Sequence, residues 1–152
     1  MERTNQNRGR RRAGLAGALL IGLILLSLAG LTACQSQERV LSAQESAEVL
    51  FYAEAKTTNL MAGLQSGDYA AFSRDFDDAM RGALPADKFP GFRDDTRAKI
   101  GDLQSRKVDS VRQNGDFVAV VYIARFTAND NVTLRVVFHV AEPHLIGGLF
   151  YK

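Results

Sequence analysis

Few side chains in this 152-residue sequence have the type and placement to do chemistry, and Glu54 is the first of them. At about 100° of rotation per residue, a helix through this segment carries Glu54 beside Leu50 and Met61 on its apolar stripe. A carboxylate in an apolar cavity tends to have a raised pKa and can act as an acid or a base. Tyr122 could add a hydroxyl to the same pocket from a strand. The alternatives are that Glu54 reaches solvent or an arginine, and that Tyr122 is an ordinary core residue.

The other polar residues do not form a recognisable metal or cofactor site. His139 falls on the polar side of a predicted strand and His144 lies in a predicted turn, so both are expected at the surface. The acidic residues Asp75, Asp77 and Asp78 lack the alternating ligands and the glycine of a calcium loop. We therefore expect them to cap helices or to face solvent. No phosphate-binding glycine loop, serine elbow or Cys/His pair is present. We therefore expect no metal, no cofactor and no catalytic residue that can be named.

The only cysteine, Cys34, follows an arginine-rich start and an uncharged apolar stretch from Ala13 to Leu31. That order of segments is typical of an export signal. The sequence Leu31-Thr32-Ala33-Cys34 resembles the lipobox of bacterial lipoproteins, which implies cleavage after Ala33 and a lipid on the Cys34 sulfur. The alternatives are an uncleaved membrane helix, for which about nineteen apolar residues suffice, twin-arginine export, and an incidental buried cysteine. We expect a cell-envelope protein, held by its lipid at the extracytoplasmic side of a membrane.

The predicted organisation is a signal peptide over residues 1–33, a short tether over 34–41 and one domain over 42–152. Residues 1–33 hold five of the 19 Lys and Arg and one of the 17 Asp and Glu, so the remainder has 14 basic and 16 acidic residues, a net charge of −2. That balance gives no sign of the basic patch of a nucleic-acid-binding protein. Because Cys34 has no second cysteine to pair with, a hydrophobic core must stabilise the domain.

Helical signals fill the first half of the domain. The capping box Ser42-Ala43-Gln44-Glu45 predicts a helix that ends near Ser66, with Gly67 as its left-handed cap. A short second helix capped by Asp68 should bury an apolar row and extend to Leu84. A third helix is predicted within 86–100, either beginning near Lys88 or kinked at Pro90. The predicted stripe of the first helix is Ala43, Ala47, Leu50, Ala53, Met61 and Leu64, and the row of the second is Tyr69, Phe72, Phe76 and Met80.

From Arg106 onward the apolar period changes to two, which is typical of strands. Asn114-Gly115 is a hairpin signal, and the short connections favour an antiparallel meander. The predicted strands are Val108–Arg112, Phe117–Phe126, Val132–Val140 and Leu145–Tyr151. Three helices followed by four strands predict an α+β fold with the helices on one face of the sheet.

The second predicted strand, Phe117–Phe126, is apolar on both faces, whereas the third has one apolar face and one mixed face with Arg135 and His139. Helices on one side of the sheet cannot cover both faces. The outer face must therefore be wrapped by neighbouring elements or meet a partner. We expect it to form a homodimer or a partner interface.

Several segments resemble a family of uncharacterised envelope domains in the nuclear transport factor 2-like superfamily. They are "GLQSGDYAAFSRDFDDAMRGALP", "KIGDLQS", "FVAVVYIARFTANDNVTLRVVF" and "GGLFYK". The resemblance spans about residues 45–152 and implies a cone in which helices roof a curved sheet, often dimeric and often with a pocket. It carries no catalytic residues to transfer. Pro90-Gly91 departs from the family pattern, in which that helix is unbroken.

These observations predict a lipid-anchored binding module for a partner protein or a small apolar ligand. Glu54 and Tyr122 are the candidate pocket residues and Cys34 is the candidate lipid-attachment site. The alternatives are a small-pocket enzyme of isomerase or hydrolase-accessory type that uses Glu54, and a structural dimerising module.

Overall fold

A computed structural model describes residues 37–152, which have α+β architecture with the five antiparallel strands in chain order across one sheet. The strands are β1 (Arg39–Val40), β2 (Leu103–Asn114), β3 (Phe117–Phe126), β4 (Val132–His139) and β5 (Ile146–Tyr151). The helices are α1 (Ala43–Ser66), α2 (Tyr69–Ser73), α3 (Asp78–Ala83) and α4 (Phe89–Ile100). The predicted class is confirmed, but the predicted three helices and four strands are each one too few.

Helix α1 begins and ends where its capping residues predict. The Glu45 amide donates a hydrogen bond to the Ser42 hydroxyl, and the Ser42 amide donates one to the Glu45 carboxylate at 2.9 Å. Hydrogen bonds from the Ser42 hydroxyl and amide, followed by one from Arg39, lower the pKa of Glu45 to about 2. Gly67 closes the helix at φ 77°, in the left-handed region that favours glycine.

The predicted second helix is two helices, because Asp77 interrupts it. The Asp77 carboxylate accepts a hydrogen bond from the Met80 amide at 2.6 Å and so caps a new helix, α3. Just before this cap, the buried Phe76 pairs with Ile146 as a one-residue bridge to β5. The Asp77 cap therefore starts a new helix, although apolar residues at i+4 spacing had predicted one continuous helix. Helix α4 has Pro90 in its first turn, which confirms a start near Lys88 rather than a kink.

The core lies between the helices and one face of the sheet. The apolar side of β4 is buried as predicted at Val132, Leu134, Val136 and Phe138, but the predicted end at Val140 is wrong, because the strand stops at His139 and Val140 is 41% exposed. The predicted stripe of α1 is wrong at Ala43 and Ala47, which are exposed, because the first two turns of that helix bury no residue. The buried residues of α1 are Ala53, Thr57, Leu60, Met61, Gly63 and Leu64.

Three details of the sheet differ from the prediction. The β2–β3 turn is Gly115-Asp116 rather than Asn114-Gly115, since Asn114 still pairs with Phe117 and only Gly115 has positive φ, at 57°. A glycine at the first turn position fits a type II′ hairpin. Strand β2 also begins earlier than predicted, at Leu103. The residues that follow Leu103 are polar and show no apolar alternation, but they pair with β3. Strand β1, within the predicted tether, pairs with the other edge of β2.

Residues Ser36–Lys152 form a compact unit that contains the whole described core. The buried core residues of this unit all lie between Leu41 and Ile146. We therefore expect this segment to fold without residues 1–35.

Candidate functional site

Glu54 lies on α1 and forms an ion pair with Arg106 of β2. Its Oε2 accepts a hydrogen bond from Arg106 Nη2 at 2.9 Å, and the same nitrogen donates to the Thr58 hydroxyl at 2.9 Å. The Glu54 side chain is 43% exposed, whereas that of Arg106 is 15% exposed. Of the surroundings considered for Glu54, which were an apolar cavity, solvent or an arginine, the structure shows the arginine.

Tyr122 is fully buried on β3, close to this ion pair. Its hydroxyl donates a hydrogen bond to the Thr57 hydroxyl at 3.3 Å, and the Arg106 guanidinium lies 5.2 Å from its ring centre. Burial raises the pKa of Tyr122 to about 12, with the Thr57 hydrogen bond opposing the rise and Glu54 adding to it. Glu54 and Tyr122 are thus near one another, but one is held by an arginine and the other is packed in the core. This arrangement gives no support to an enzyme that uses Glu54.

A groove of about 700 Å³ lies elsewhere, on the open face, which we define as the sheet face turned away from the helices. Arg112 of β2 is level with Ala119 of β3 and Val137 of β4, and Arg135 is level with Val121, so these side chains share that face. The groove is lined by Glu38, Asp109, Arg112, Val121, Thr133, Arg135, Val137, Phe150, Tyr151 and Lys152. Neither Glu54 nor Tyr122 lines it.

The polar centre of the groove is the arginine pair, Arg112 and Arg135. Both bind the carboxylate of Glu38, which reaches over the open face from the segment before β1. Glu38 Oε1 accepts a hydrogen bond from Arg135 Nη2 at 2.9 Å, and Oε2 lies 3.6 Å from Arg112 Nη1. Arg135 Nε is buried and has no hydrogen-bond partner among residues 37–152. The sequence predicted only that Arg135 faces outward, because nothing local indicates that Glu38 lies beside a residue 97 positions away.

The apolar part of the groove is formed by Val121, Val137 and the ring of Phe150. The Phe150 side chain is 58% exposed although it lies on a strand. A Cβ on Gly148 would come within 2.7 Å of this ring and within 3.5 Å of Val137. Gly148 therefore leaves room for the Phe150 ring on the open face, where the ring stays accessible from solvent.

The two histidines are less solvated than predicted. His139 Nε2 lies 2.7 Å from Asp77 Oδ2, and the His144 ring stacks on Tyr52 at 3.8 Å between centres. Burial opposes ionisation of Asp77, but the hydrogen bonds from His139 and from the Met80 amide outweigh it, so the pKa of Asp77 lies below its usual value. Asp77 thus connects the start of α3 to the end of β4, which is a structural role.

We expect Asp77→Ala to lower the free energy of unfolding by about 1–2 kcal/mol at pH 7, because a helix cap and a hydrogen-bonded partner are lost together. The lowered pKa of Asp77 makes this contribution complete above the pKa of the unfolded chain, and the contribution falls away as the pH drops through the folded-state value. Urea denaturation at pH 7 and at pH 3 measures both effects. The exposed neighbour Asp78 is the control, and a difference for Asp77→Ala that stays constant to pH 2 would contradict this account.

Comparison with protein-family models, with curated proteins and with solved structures finds no match for this chain. Within residues 37–152, no helix is long and apolar enough to cross a membrane, and no three His, Cys, Asp or Glu side chains come together as metal ligands would. Cys34, the signal peptide over 1–33 and the start of the tether lie outside the described residues, so the lipid anchor stays a prediction. The groove is therefore interpreted from its own chemistry.

Proposed function

We propose that this chain is a lipid-anchored, extracytoplasmic binding module whose binding site is the groove on the open face. The observation that carries the proposal is an accessible cavity of about 700 Å³ with an apolar side and a charged centre. Small-molecule sites are commonly about 300–1,000 Å³, largely apolar, with a few polar groups that orient the ligand. The proposed ligand is a small amphipathic molecule.

The nuclear transport factor 2-like cone is part of this proposal. Four helices that precede an antiparallel meander and pack on one of its faces support the assignment. In the proposed arrangement the helices fill the inner side with core residues, so ligand binding takes place on the other side.

A neutral dye tests whether the groove binds apolar molecules. We expect Nile red to bind the segment Ser36–Lys152 saturably and with enhanced fluorescence, because its rings can cover Val121, Val137 and Phe150. Phe150→Ala should weaken binding about tenfold, since loss of a buried phenyl contact costs at least about 1.4 kcal/mol.

The matched control is Phe51→Ala. Phe51 is an equally large aromatic side chain, 91% exposed on α1 and outside the groove, so its removal should leave dye binding unchanged. Absence of saturable binding to the unmodified segment, or equal effects of the two substitutions, would contradict the proposed site.

A homodimer through the open face is a second candidate. Phe117, Ile123 and Phe150 all lie on that face and remain more than 40% exposed. Two copies facing each other would cover these side chains and close the groove. Sedimentation equilibrium of Ser36–Lys152 across a hundredfold concentration range decides the question, and a strictly monomeric mass would rule out the dimer.

A further inference from the structure

We propose that the ligand of the groove is an amphipathic carboxylate, whose head group takes the place of Glu38 at the arginine pair while its apolar chain covers Val121, Val137 and Phe150. This inference rests on the proposed function and names the ligand class of that site. Glu38 is then a built-in competitor, supplied by the segment that joins the anchor to the domain.

The present geometry already accommodates a carboxylate. Each oxygen of Glu38 faces one member of the arginine pair, at 2.9 Å for Arg135 and 3.6 Å for Arg112. Asp109 helps to hold Arg112, because Arg112 Nε donates to the Ser110 hydroxyl and that hydroxyl donates to Asp109. A second carboxylate of the same shape therefore finds its two partners in place.

Glu38 is a weak occupant of this position. Its side chain and those of both arginines are between 33% and 42% exposed, and ion pairs with that much solvent contribute about 0–1 kcal/mol. It lies before β1, outside the strand pairing that holds the following residues at the sheet edge together with the hydrogen bonds of Arg39 to Glu45 and Gln113. Exchange of Glu38 for a ligand thus has a low cost.

Glu38 also leaves one donor unused. It engages Nη2 of Arg135, while Nε of that guanidinium is buried without a partner among the described residues. Once Glu38 moves away and Nε is uncovered, a free carboxylate can pair with Nε and Nη2 side by side, which is the strongest geometry that arginine offers. A ligand would therefore satisfy a buried donor that the tethered Glu38 does not reach.

The charges around the groove agree with an anionic head group. Its basic side chains are Arg112, Arg135 and Lys152, and its acidic side chains are Glu38 and Asp109. When Glu38 moves away, three cations face one anion. The apolar residues begin on the same face, since Val121 is level with Arg135 and Val137 is level with Arg112. An acid with an apolar chain matches both parts, whereas a small hydrophilic anion matches only one.

Calorimetric titration of Ser36–Lys152 with dodecanoate and with dodecanol, both below their aggregation limits at pH 8, tests the inference. We expect dodecanoate to bind at least tenfold more tightly than dodecanol. Arg135→Gln should remove most of that preference and leave dodecanol binding unchanged. Glu38→Gln should strengthen dodecanoate binding about threefold or more, because the competing carboxylate is gone.

The control is Arg125→Gln, which removes the same charge from an arginine that pairs with Asp130 outside the groove. A misfolded variant cannot imitate the tighter binding expected for Glu38→Gln. Equal affinity for dodecanoate and dodecanol, or no gain with Glu38→Gln, would overturn the carboxylate inference while Nile red binding still upheld the groove. Failure of all three probes to bind would overturn the proposed function itself.

Discussion

Gly63→Ala is expected to lower the free energy of unfolding by at least about 2 kcal/mol, although alanine favours helix over glycine by about 1 kcal/mol in an open position. Gly63 lies inside α1, where that helix contacts the backbone of Ala71 and Phe72 in α2. A Cβ at Gly63 would be 2.3 Å from the backbone nitrogen of Phe72, 2.7 Å from its Cα and 2.9 Å from the carbonyl carbon of Ala71. These atoms are backbone, so no side-chain rotation relieves the overlap and the two helices must separate.

The chain supplies a matched control in Gly82→Ala. Gly82 lies in α3 with no atom within 4 Å of the position that its Cβ would take. The same substitution there should be neutral or slightly stabilising, by up to about 1 kcal/mol. Urea denaturation of both variants of Ser36–Lys152 measures the difference. Equal stability of the two variants would contradict a close helix contact at Gly63.

The contact at Gly63 also affects the packing of the core. Phe72 is fully buried and its ring lies 4.7 Å from that of Phe89 and 5.0 Å from that of Phe76. Separation of α1 from α2 would therefore open space around three aromatic rings at once. We expect the far-ultraviolet spectrum of Gly63→Ala to remain helical while cooperativity of unfolding falls.

Three features that depend on neighbouring residues were predicted correctly. Helix α1 was predicted from Ser42, Glu45 and Gly67, which satisfy the free backbone groups at its ends. Strand β3 matches its predicted bounds, and the inward face of β4 follows from alternation alone. In each case the signal and the structure that it indicates lie within a few residues of one another.

Features that depend on distant residues were missed. Strand β1 exists because Arg39 and Val40 pair with Gln113 and Arg112, and two residues carry no period of their own. The polar half of β2 is held by its pairing with β3, which local propensity does not reveal. A prediction from sequence gives the face of a strand more readily than its partners.

The groove was missed for the same reason. Arg135 was predicted on the outer face, but Glu38 was assigned to a tether and Arg112 to the end of a short strand. Only the assembled sheet brings these three side chains together. For Glu54 the sequence left a cavity, solvent and an arginine open, and only the assembled fold identifies Arg106 of β2 as the partner of its carboxylate.

Cys34→Ser is expected to abolish lipid attachment and normal processing of the protein completely. Signal peptidase of the lipoprotein type acts after a diacylglycerol is joined to the cysteine sulfur, according to the lipobox resemblance. Serine has no such nucleophilic sulfur, so the variant should incorporate no labelled palmitate and should either remain as the precursor or leave the membrane. Two acyl chains are enough for stable anchoring, whereas a single chain binds only marginally.

The matched control is Ser36→Ala, which changes a residue just outside the Leu31-Thr32-Ala33-Cys34 sequence and should be labelled and processed normally. Mass spectrometry of the mature chain should find its first residue at 34 and the added mass of the lipid. Palmitate incorporation by Cys34→Ser, or normal membrane attachment of a fully processed variant, would contradict the lipoprotein assignment. An unmodified protein that keeps residues 1–33 in the membrane would favour the uncleaved helix.

The position of the anchor also bears on the ligand. Glu38 lies four positions after Cys34, which corresponds to a reach of at most about 14 Å along the chain. A lipid on Cys34 would therefore keep the backbone of Glu38 within that reach of the lipidated residue. Dodecanoate added to cells that carry the lipidated protein should make the segment around Glu38 and Arg39 easier for a protease to cleave, because the ligand releases Glu38. Equal protection with and without dodecanoate would separate anchoring from ligand exchange and leave Glu38 as a fixed part of the fold.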